Sequence, residues 1–148
     1  LFGTNKTWKG FISMPLGTAI SFMGFEWCWR NSTWLQDHSL FDFTKLGWLH
    51  NSWWLGLYLG FVYLLAELPN SFIKRRLGIP PGQNKSNFLG KVFMVVDHVD
   101  STLGCAIAFA AIIPITLLDI ATLTIIGGII HYTVAVSLFY VGLKKQRG

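Results

Sequence analysis

Four long apolar stretches constrain this chain more than any other feature of its sequence. They cover roughly residues 11–29, 52–73, 101–118 and 120–141. A helix needs about 20 apolar residues to cross the hydrocarbon core of a bilayer, and each stretch is close to that length. Because the backbone inside a bilayer must satisfy its own hydrogen bonds, we expect these segments to be helices. The sequence therefore predicts an all-α integral membrane protein, a polytopic bundle with about four transmembrane helices.

The composition agrees with a membrane-embedded chain. Of the 148 residues, 52% are hydrophobic and only 13% are charged, whereas a soluble domain carries about 25% charged residues. Neither a repeat nor a low-complexity tract divides the sequence, which predicts a single membrane-embedded domain over residues 1–148. The chain starts without a methionine and close to a basic stretch. We expect an N-terminal portion, such as one more helix, to precede it.

The basic residues gather on one side of the predicted spans. Of the 12 Lys and Arg residues, only Arg30 and Lys45 fall on the other side. By the positive-inside rule the basic side faces the cytoplasm, which predicts a protein of the cell membrane with both ends of this chain inside. The net charge of +5 is explained by these loops, which also meet anionic lipid headgroups. Nucleic-acid binding is not expected, because the basic residues lie at helix ends.

A polar face is predicted near the cytoplasmic end of the second span. Its residues are Glu67, Asn70, Ser71 and Lys74, followed by Arg75 and Arg76. The first four have the spacing i, i+3, i+4 and i+7, so a helix brings them to one side. Ionisable groups at membrane depth face partners, water or a ligand. An alternative is that the basic residues only anchor the helix end while Glu67 pairs with Lys74, but anchoring does not require the amide and the hydroxyl.

Two aspartates form the second polar group. Asp97 and Asp100 stand one helical turn apart, just before the third span, which could also begin earlier, near Val92, in a cytoplasmic turn that carries both aspartates. This spacing suits Mg²⁺, which takes one or two protein carboxylates and completes its octahedron with water and phosphate oxygens. The alternative is a pair of interfacial acids neutralised by Lys91 or Arg76. His98, which lies between them, is expected to be solvated or to cap a helix.

A third polar cluster precedes the first span. It contains Asn5, Lys6, Thr7 and Lys9. Amide, hydroxyl and ammonium groups of this kind bind phosphate oxygens well, although basic residues flank most cytoplasmic helix ends. All three clusters fall on the same predicted side at a similar depth, and this coincidence favours one joint site.

Together the three clusters resemble motifs of the CTP-dependent lipid cytidylyltransferases. The likeness is to the phosphatidate cytidylyltransferase superfamily and, more closely, to its CDP-archaeol synthase branch. Residues 5–10 are similar to an Asn-Lys-Thr-Trp-Arg-Gly motif, residues 70–82 to a Ser-x-x-Lys-Arg-x-x-Gly-Ile element, and residues 97–101 to an Asp-Arg-x-Asp-Ser motif. Order and spacing agree over nearly the whole chain. The chain departs at His98, where arginine is usual, and at Glu67, where aspartate is usual.

The resemblance implies a CTP-dependent lipid-phosphate cytidylyltransferase of phospholipid biosynthesis. Such an enzyme forms a CDP-activated lipid, of the CDP-archaeol or CDP-diacylglycerol type, and releases pyrophosphate. CTP and a membrane lipid phosphate are the implied partners, and Mg²⁺ is the implied cofactor, with Asp97, Asp100 and Glu67 as candidate ligands. Lys74 and Arg75 would act in catalysis beside the two aspartates. The remaining implied phosphate-binding residues are Asn5, Lys6, Thr7, Lys9, Asn70, Ser71 and Arg76.

Two other functions fit parts of the pattern. In a transporter or flippase the charges would line a path, but the outer halves of the spans carry no polar trail beyond Glu26 and His131. Glu26 is expected to pair with Arg30, and His131 to pack with a hydrogen bond. A CTP-dependent lipid kinase of the same superfamily would instead transfer the γ-phosphoryl group.

Four glycines suit close helix packing in either a homodimer or a compact monomer: Gly56, Gly60, Gly127 and Gly128.

Overall fold

The computed structural model describes residues 8–39, 42–45, 51–80 and 88–142, and within them the regular structure is entirely helical. The elements are α1 (Trp8–Arg30), α2 (Thr33–His38), a 3₁₀ turn (Phe43–Lys45), α3 (Ser52–Arg76), α4 (Phe88–Ala110) and α5 (Leu117–Tyr140). Three of these helices, α3, α4 from Gly90 onward and α5, are long and apolar enough to cross a membrane. The predicted all-α membrane fold is confirmed, and the predicted number of four spans is approximate.

The third apolar stretch begins earlier than the sequence predicts. Since α4 starts at Phe88, Asp97 and Asp100 lie well inside the helix and not in a turn before it. The helix also ends at Ala110, so residues 111–116 belong to the connection to α5. At a rise of about 1.5 Å per residue, Asp97 stands roughly 13 Å along the axis from the first residue of α4. The aspartates therefore lie more than two helical turns inside α4.

A capping box fixes the start of α5. The Asp119 carboxylate accepts hydrogen bonds from the backbone N–H and the hydroxyl of Thr116, both at 2.8 Å. In return, the Asp119 N–H donates to the Thr116 hydroxyl oxygen at 3.2 Å. These bonds satisfy backbone groups that the first turn of a helix leaves without an intrahelical partner. Asp119, which lies between the third and fourth apolar stretches of the sequence, thus belongs to the first turn of α5.

The described chain groups into two compact units, one made of residues 8–62 and the other of the described residues from Tyr63 onward. In the first unit α1 packs against the first half of α3, and a Cβ on Gly56 would overlap the backbone of Ala19. The predicted pair of Glu26 and Arg30 is confirmed, with Nη2 2.6 Å from Oε1. A single domain over residues 1–148 stays a prediction.

The second unit contains the end of α3 together with α4 and α5. Apart from Ile79, its buried residues are small or polar: Asn70, Lys74, Gly90, His98, Ser101, Ala106, Ala108, Thr124 and Ala135. Several of its large apolar side chains, such as Ile107, Ile125 and Ile129, are more than half exposed. Small and polar side chains between helices and large apolar ones outside are typical of a bundle surrounded by lipid. The polar chemistry of the chain is thus turned inward.

Glycine sets the spacing of α3 and α4. A Cβ on Gly104 would collide with the Cβ of Ala66, so the two helices pass too closely there for any larger residue. On the other side of α4, Gly127 and Gly128 of α5 make similar close approaches to Thr102 and His98. These glycines, like Gly56 and Gly60 in the first unit, serve packing within the chain. A homodimer stays a prediction.

Candidate active site

The end of α3 is fixed by a Schellman motif. The Ile79 N–H donates to the Lys74 carbonyl oxygen at 2.9 Å, and the Gly78 N–H donates to that of Arg75 at 3.2 Å. Gly78 has a φ of +67°, in the left-handed region that costs other residues about 1–2 kcal/mol. Ile79 is only 1% exposed and anchors the turn. The Gly-Ile pair after the basic residues therefore ends the helix and caps the carbonyls of Lys74 and Arg75.

Asn70 of α3 connects the two aspartates of α4. Its Nδ2 donates to Oδ1 of Asp97 at 2.7 Å and to Oδ2 of Asp100 at 2.8 Å. Asn70 is only 8% exposed. Its own Oδ1 is buried and has no hydrogen-bond partner among the described residues. Both N–H groups of the amide are therefore used to hold the carboxylates, while the amide oxygen is left unsatisfied.

Lys74 supplies the positive charge of the site. Its Nζ lies 2.7 Å from Oδ2 of Asp97, with 10% of the lysine side chain and 30% of the aspartate side chain exposed. The ammonium also stands 5.9 Å from the ring centroid of Phe93. The hydroxyl of Ser101 donates to Oδ1 of Asp100 at 2.9 Å. All four carboxylate oxygens thus accept a hydrogen bond, and the partial exposure of Asp97 leaves a route for a small ion.

Arg75 and Arg76 differ in their surroundings. Two guanidinium nitrogens of Arg75, Nε and Nη1, are buried and have no hydrogen-bond partner among the described residues. Arg76 is exposed, with its guanidinium carbon 5.2 Å from the ring centroid of Phe72. A buried donor without an acceptor costs about 1–3 kcal/mol, and more when it is charged. Phosphate oxygens are strong acceptors for guanidinium N–H groups and could satisfy such donors.

The other predicted site residues fall in different parts of the chain. Glu67 and Ser71 lie on α3 and are half-buried. Within the described ranges, no group of three or more His, Cys, Asp or Glu residues is arranged to hold a metal ion; Glu67 as a metal ligand stays a prediction. Lys9 is exposed in the first turn of α1, in the other unit. Three predicted residues lie outside the described residues: Asn5, Lys6 and Thr7.

His98 is buried, and so the expectation of a solvated or capping residue is wrong. It is 8% exposed, and its ring centroid lies 5.2 Å from that of His131 and 5.3 Å from that of Tyr132. Its Nδ1 is 2.6 Å from the carbonyl oxygen of Met94. His131 packs as expected, with Nε2 3.5 Å from the hydroxyl of Tyr63. These contacts join α3, α4 and α5, and no spacing within one helix reveals them.

Ser101 belongs to the site, although it is not among the site residues predicted from the sequence. It is fully buried and fixes Asp100 from its own helix. Its position directly after the second aspartate was the available signal. With it, the site combines two carboxylates, an ammonium group, an amide and a hydroxyl group. This set of groups can hold a divalent cation and phosphate oxygens side by side.

Comparison with protein families gives a match to the CarS-like CDP-archaeol synthase model over residues 1–147. Searches of curated proteins and of solved structures give no significant match. The family match spans nearly the whole chain, including the segments that meet at the aspartates, and it indicates a CTP-dependent cytidylyltransferase that forms a CDP-lipid. With this coverage, and with the site that α3 and α4 build, the chain belongs to the CarS-like CDP-archaeol synthase family.

Proposed function

We propose that this protein transfers the cytidylyl group of CTP to a membrane lipid phosphate. The product is a CDP-lipid of the archaeol or diacylglycerol type, made for phospholipid biosynthesis, and pyrophosphate is released. Family membership supports the reaction class. The observation that carries the proposal is the contact of Asn70 with Asp97 and Asp100 and of Lys74 with Asp97, because these contacts gather groups for phosphate and for a cation in one place.

The reaction is a single displacement at phosphorus. An oxygen of the lipid phosphate attacks the α-phosphorus of CTP and forms the new P–O bond. The bond between the α-phosphorus and the bridging oxygen breaks, and pyrophosphate leaves with the electron pair. The proposal needs no covalent intermediate on the enzyme. The protein therefore contributes positioning of the two substrates and stabilisation of the charge that develops on the phosphate oxygens.

Asp97 and Asp100 are the proposed ligands of Mg²⁺. They fit the ion, because two carboxylates one turn apart on α4 point to the same amide, and Mg²⁺ commonly takes one or two protein carboxylates. When bound, the ion neutralises charge on the phosphates of the nucleotide. Glu67 is proposed as a further ligand or as a group that orients Lys74.

Cationic side chains bind the phosphates in this proposal. The buried nitrogens of Arg75, which have no partner among the described residues, would donate hydrogen bonds to phosphate oxygens. The Lys74 ammonium group, which lies beside Asp97, would also bind phosphate. Further phosphate contacts are proposed for Asn5, Lys6, Thr7, Lys9, Asn70, Ser71 and Arg76. Because most basic residues gather on one predicted side, we place the protein in the cell membrane with its active site facing the cytoplasm.

A labelled-nucleotide assay tests the proposal. The purified protein in detergent micelles receives Mg²⁺, CTP labelled with ³²P at the α position, and a panel of lipid phosphates that includes phosphatidate and an isoprenoid-ether glycerol phosphate. We expect label in the lipid phase with pyrophosphate released, and the panel identifies the lipid. A parallel sample receives γ-labelled CTP and lipid alcohols. Label entering the lipid only in that sample would establish a kinase, and no consumption of CTP by folded protein would refute both reactions.

A further inference from the structure

We infer that Asn70 is a switchable ligand of the divalent cation. Its amide nitrogen holds Asp97 and Asp100, and rotation of the amide by 180° would bring its oxygen to a bound cation as a third protein ligand. This inference rests on the proposed cation site and goes beyond it. It gives Asn70 a role toward the cation, whereas the sequence motif implies contact with phosphate.

The contacts of Asn70 have nearly the dimensions of an octahedral cation site. Its Nδ2 lies 2.7 Å from Oδ1 of Asp97 and 2.8 Å from Oδ2 of Asp100. With Mg²⁺–oxygen distances of roughly 2.0–2.1 Å, neighbouring ligand oxygens in an octahedron are about 2.9 Å apart. An amide oxygen in the place of Nδ2 would therefore lie at nearly the distance from each carboxylate oxygen that separates two ligands of the same cation. The rotation exchanges two atoms of similar size, so the packing around the side chain is kept.

Charge decides which end of the amide faces the aspartates. Without a cation, an inward oxygen would be repelled by two carboxylates, and the N–H groups face them instead. That orientation leaves Oδ1 buried with no hydrogen-bond partner among the described residues, which is unfavourable. A bound cation reverses the preference, because an oxygen then faces positive charge. The cation selects the second orientation by binding it more tightly than the first.

The residues around the site favour Asn70, and not a third acidic side chain, as the third protein ligand of the cation. Among the residues that the structure describes, no set of three or more acidic, histidine or cysteine side chains could hold a metal ion. Hard cations readily accept the side-chain oxygen of asparagine together with carboxylates and water. The side chain of Asp97 is 30% exposed, so water and the ion can reach the site while Asn70 stays buried. An asparagine can donate hydrogen bonds to the carboxylates in one orientation of its amide and offer an oxygen to the cation in the other. Neither aspartate nor leucine can do both.

Direct spectroscopy on the bound metal tests the inference. The full chain is produced with asparagine labelled with ¹³C at Cγ, purified in detergent and loaded with Mn²⁺ alone, without CTP or lipid. Electron–nuclear double resonance then measures the coupling of Mn²⁺ to ¹³C. We expect the strong coupling of a carbon two bonds from the metal, and its loss in Asn70→Ala. Mn²⁺ binding without this coupling in the wild type would show that Asn70 only supports the aspartates and would overturn the inference.

Binding measurements complement the spectrum. Asn70→Ala should weaken Mn²⁺ binding by at least the roughly 10–100-fold seen for outer-shell partners. Asn70→Asp should keep Mn²⁺ binding and make thermal stability more dependent on the cation, since three carboxylates then face one another. Thr124→Val, which changes a buried polar residue that bonds only within α5 and to Thr102, is the matched control and should bind Mn²⁺ as the wild type does. Unchanged binding in Asn70→Ala would contradict the ligand role.

These outcomes separate the inference from the proposed function. Mn²⁺ bound without the carbon coupling removes the role of Asn70 and leaves cytidylyl transfer untouched. The absence of Mn²⁺ binding by folded wild-type protein would overturn both the switch and the cation site. Cytidylyl transfer itself is judged by the labelled-nucleotide assay, which does not depend on the spectrum.

Discussion

Lys74 and Asp97 form an ion pair between α3 and α4, with Nζ 2.7 Å from Oδ2. The lysine is 8% exposed, and an ammonium group so far from water needs a compensating charge. The aspartate provides it, and Asn70 holds the other oxygen of the same carboxylate. The pair therefore keeps a cationic group inside the unit, next to the place where phosphate is proposed to bind.

Breaking this pair should cost stability. Lys74→Met is expected to lower the free energy of unfolding by about 1–3 kcal/mol, because it leaves Asp97 without its charged partner. Asp97→Asn should also lower the free energy of unfolding, because it leaves the Lys74 ammonium without its charged partner. The loss in the double variant should be smaller than the sum of the losses in the two single variants. Thermal or denaturant unfolding in detergent measures all three. Strict additivity would show that the two residues do not interact.

Asp100→Asn is the cleaner test of the cation site. Asp100 is held by Asn70 and Ser101, and an asparagine can still accept a hydrogen bond there. We expect kcat to fall by about 10²–10³-fold, with a small change in unfolding temperature. The matched control is Asp119→Asn, which weakens the capping box of α5 and should cost about 0.5–2 kcal/mol with kcat retained. Full activity in Asp100→Asn would refute the metal assignment.

Arg75→Met should separate activity from stability. Because the Nε and Nη1 groups of Arg75 are buried without a partner in the described part of the chain, removing them should leave the unfolding temperature unchanged or raise it. Cytidylyl transfer should fall by about 10²-fold or more, since phosphate loses its charged donors. Steady-state kinetics and thermal unfolding test this together. Arg30→Gln, at an exposed arginine, is the control, and equal activities in the two variants would contradict a phosphate-binding role.

Gly104→Ala should disturb the site from a distance. The added Cβ meets the Cβ of Ala66 and pushes α3 from α4, which separates Asn70 and Lys74 from the aspartates. We expect a loss of about 1–3 kcal/mol in stability and a large loss of activity. Ala66→Gly in the same chain should restore both, because it removes the opposing methyl group. If the double variant stays as impaired as the single one, the close contact does not set the helix spacing.

Gly78→Ala tests the Schellman motif at the end of α3. With φ at +67°, an alanine there should cost about 1–2 kcal/mol. Gly78→Asn should cost less, because asparagine tolerates the left-handed region better. The order of unfolding temperatures, glycine above asparagine above alanine, is the expected result. Equal stability of the three proteins would show that the turn is not under this constraint.

The sequence by itself determined the class of the protein and the local arrangement of its polar groups. Apolar stretches near the length of a membrane span predict helices because lipid offers the backbone no other partner. Helical periodicity places Asn70 and Lys74 on one face of α3, and the i, i+4 spacing gives the pair of Glu26 and Arg30. The motifs also indicated the family that the comparison found. The polar face of α3 and the pair of Glu26 and Arg30 depend only on neighbours within about two helical turns.

The tertiary structure alone decided which of these groups meet. Asn70 reaches both aspartates, and His98 is buried against α5, because the distance between helices is fixed by contacts such as Gly104 against Ala66. Nothing in the spacing along one helix encodes that distance. Apolarity likewise missed the start of α4. Residues 88–96 contain a single charged residue, Lys91, but Asp97 and Asp100 interrupt the apolar run, so the sequence predicts a span that begins after them. Contacts between helices depend on packing over the whole unit, and periodicity describes only one helix at a time.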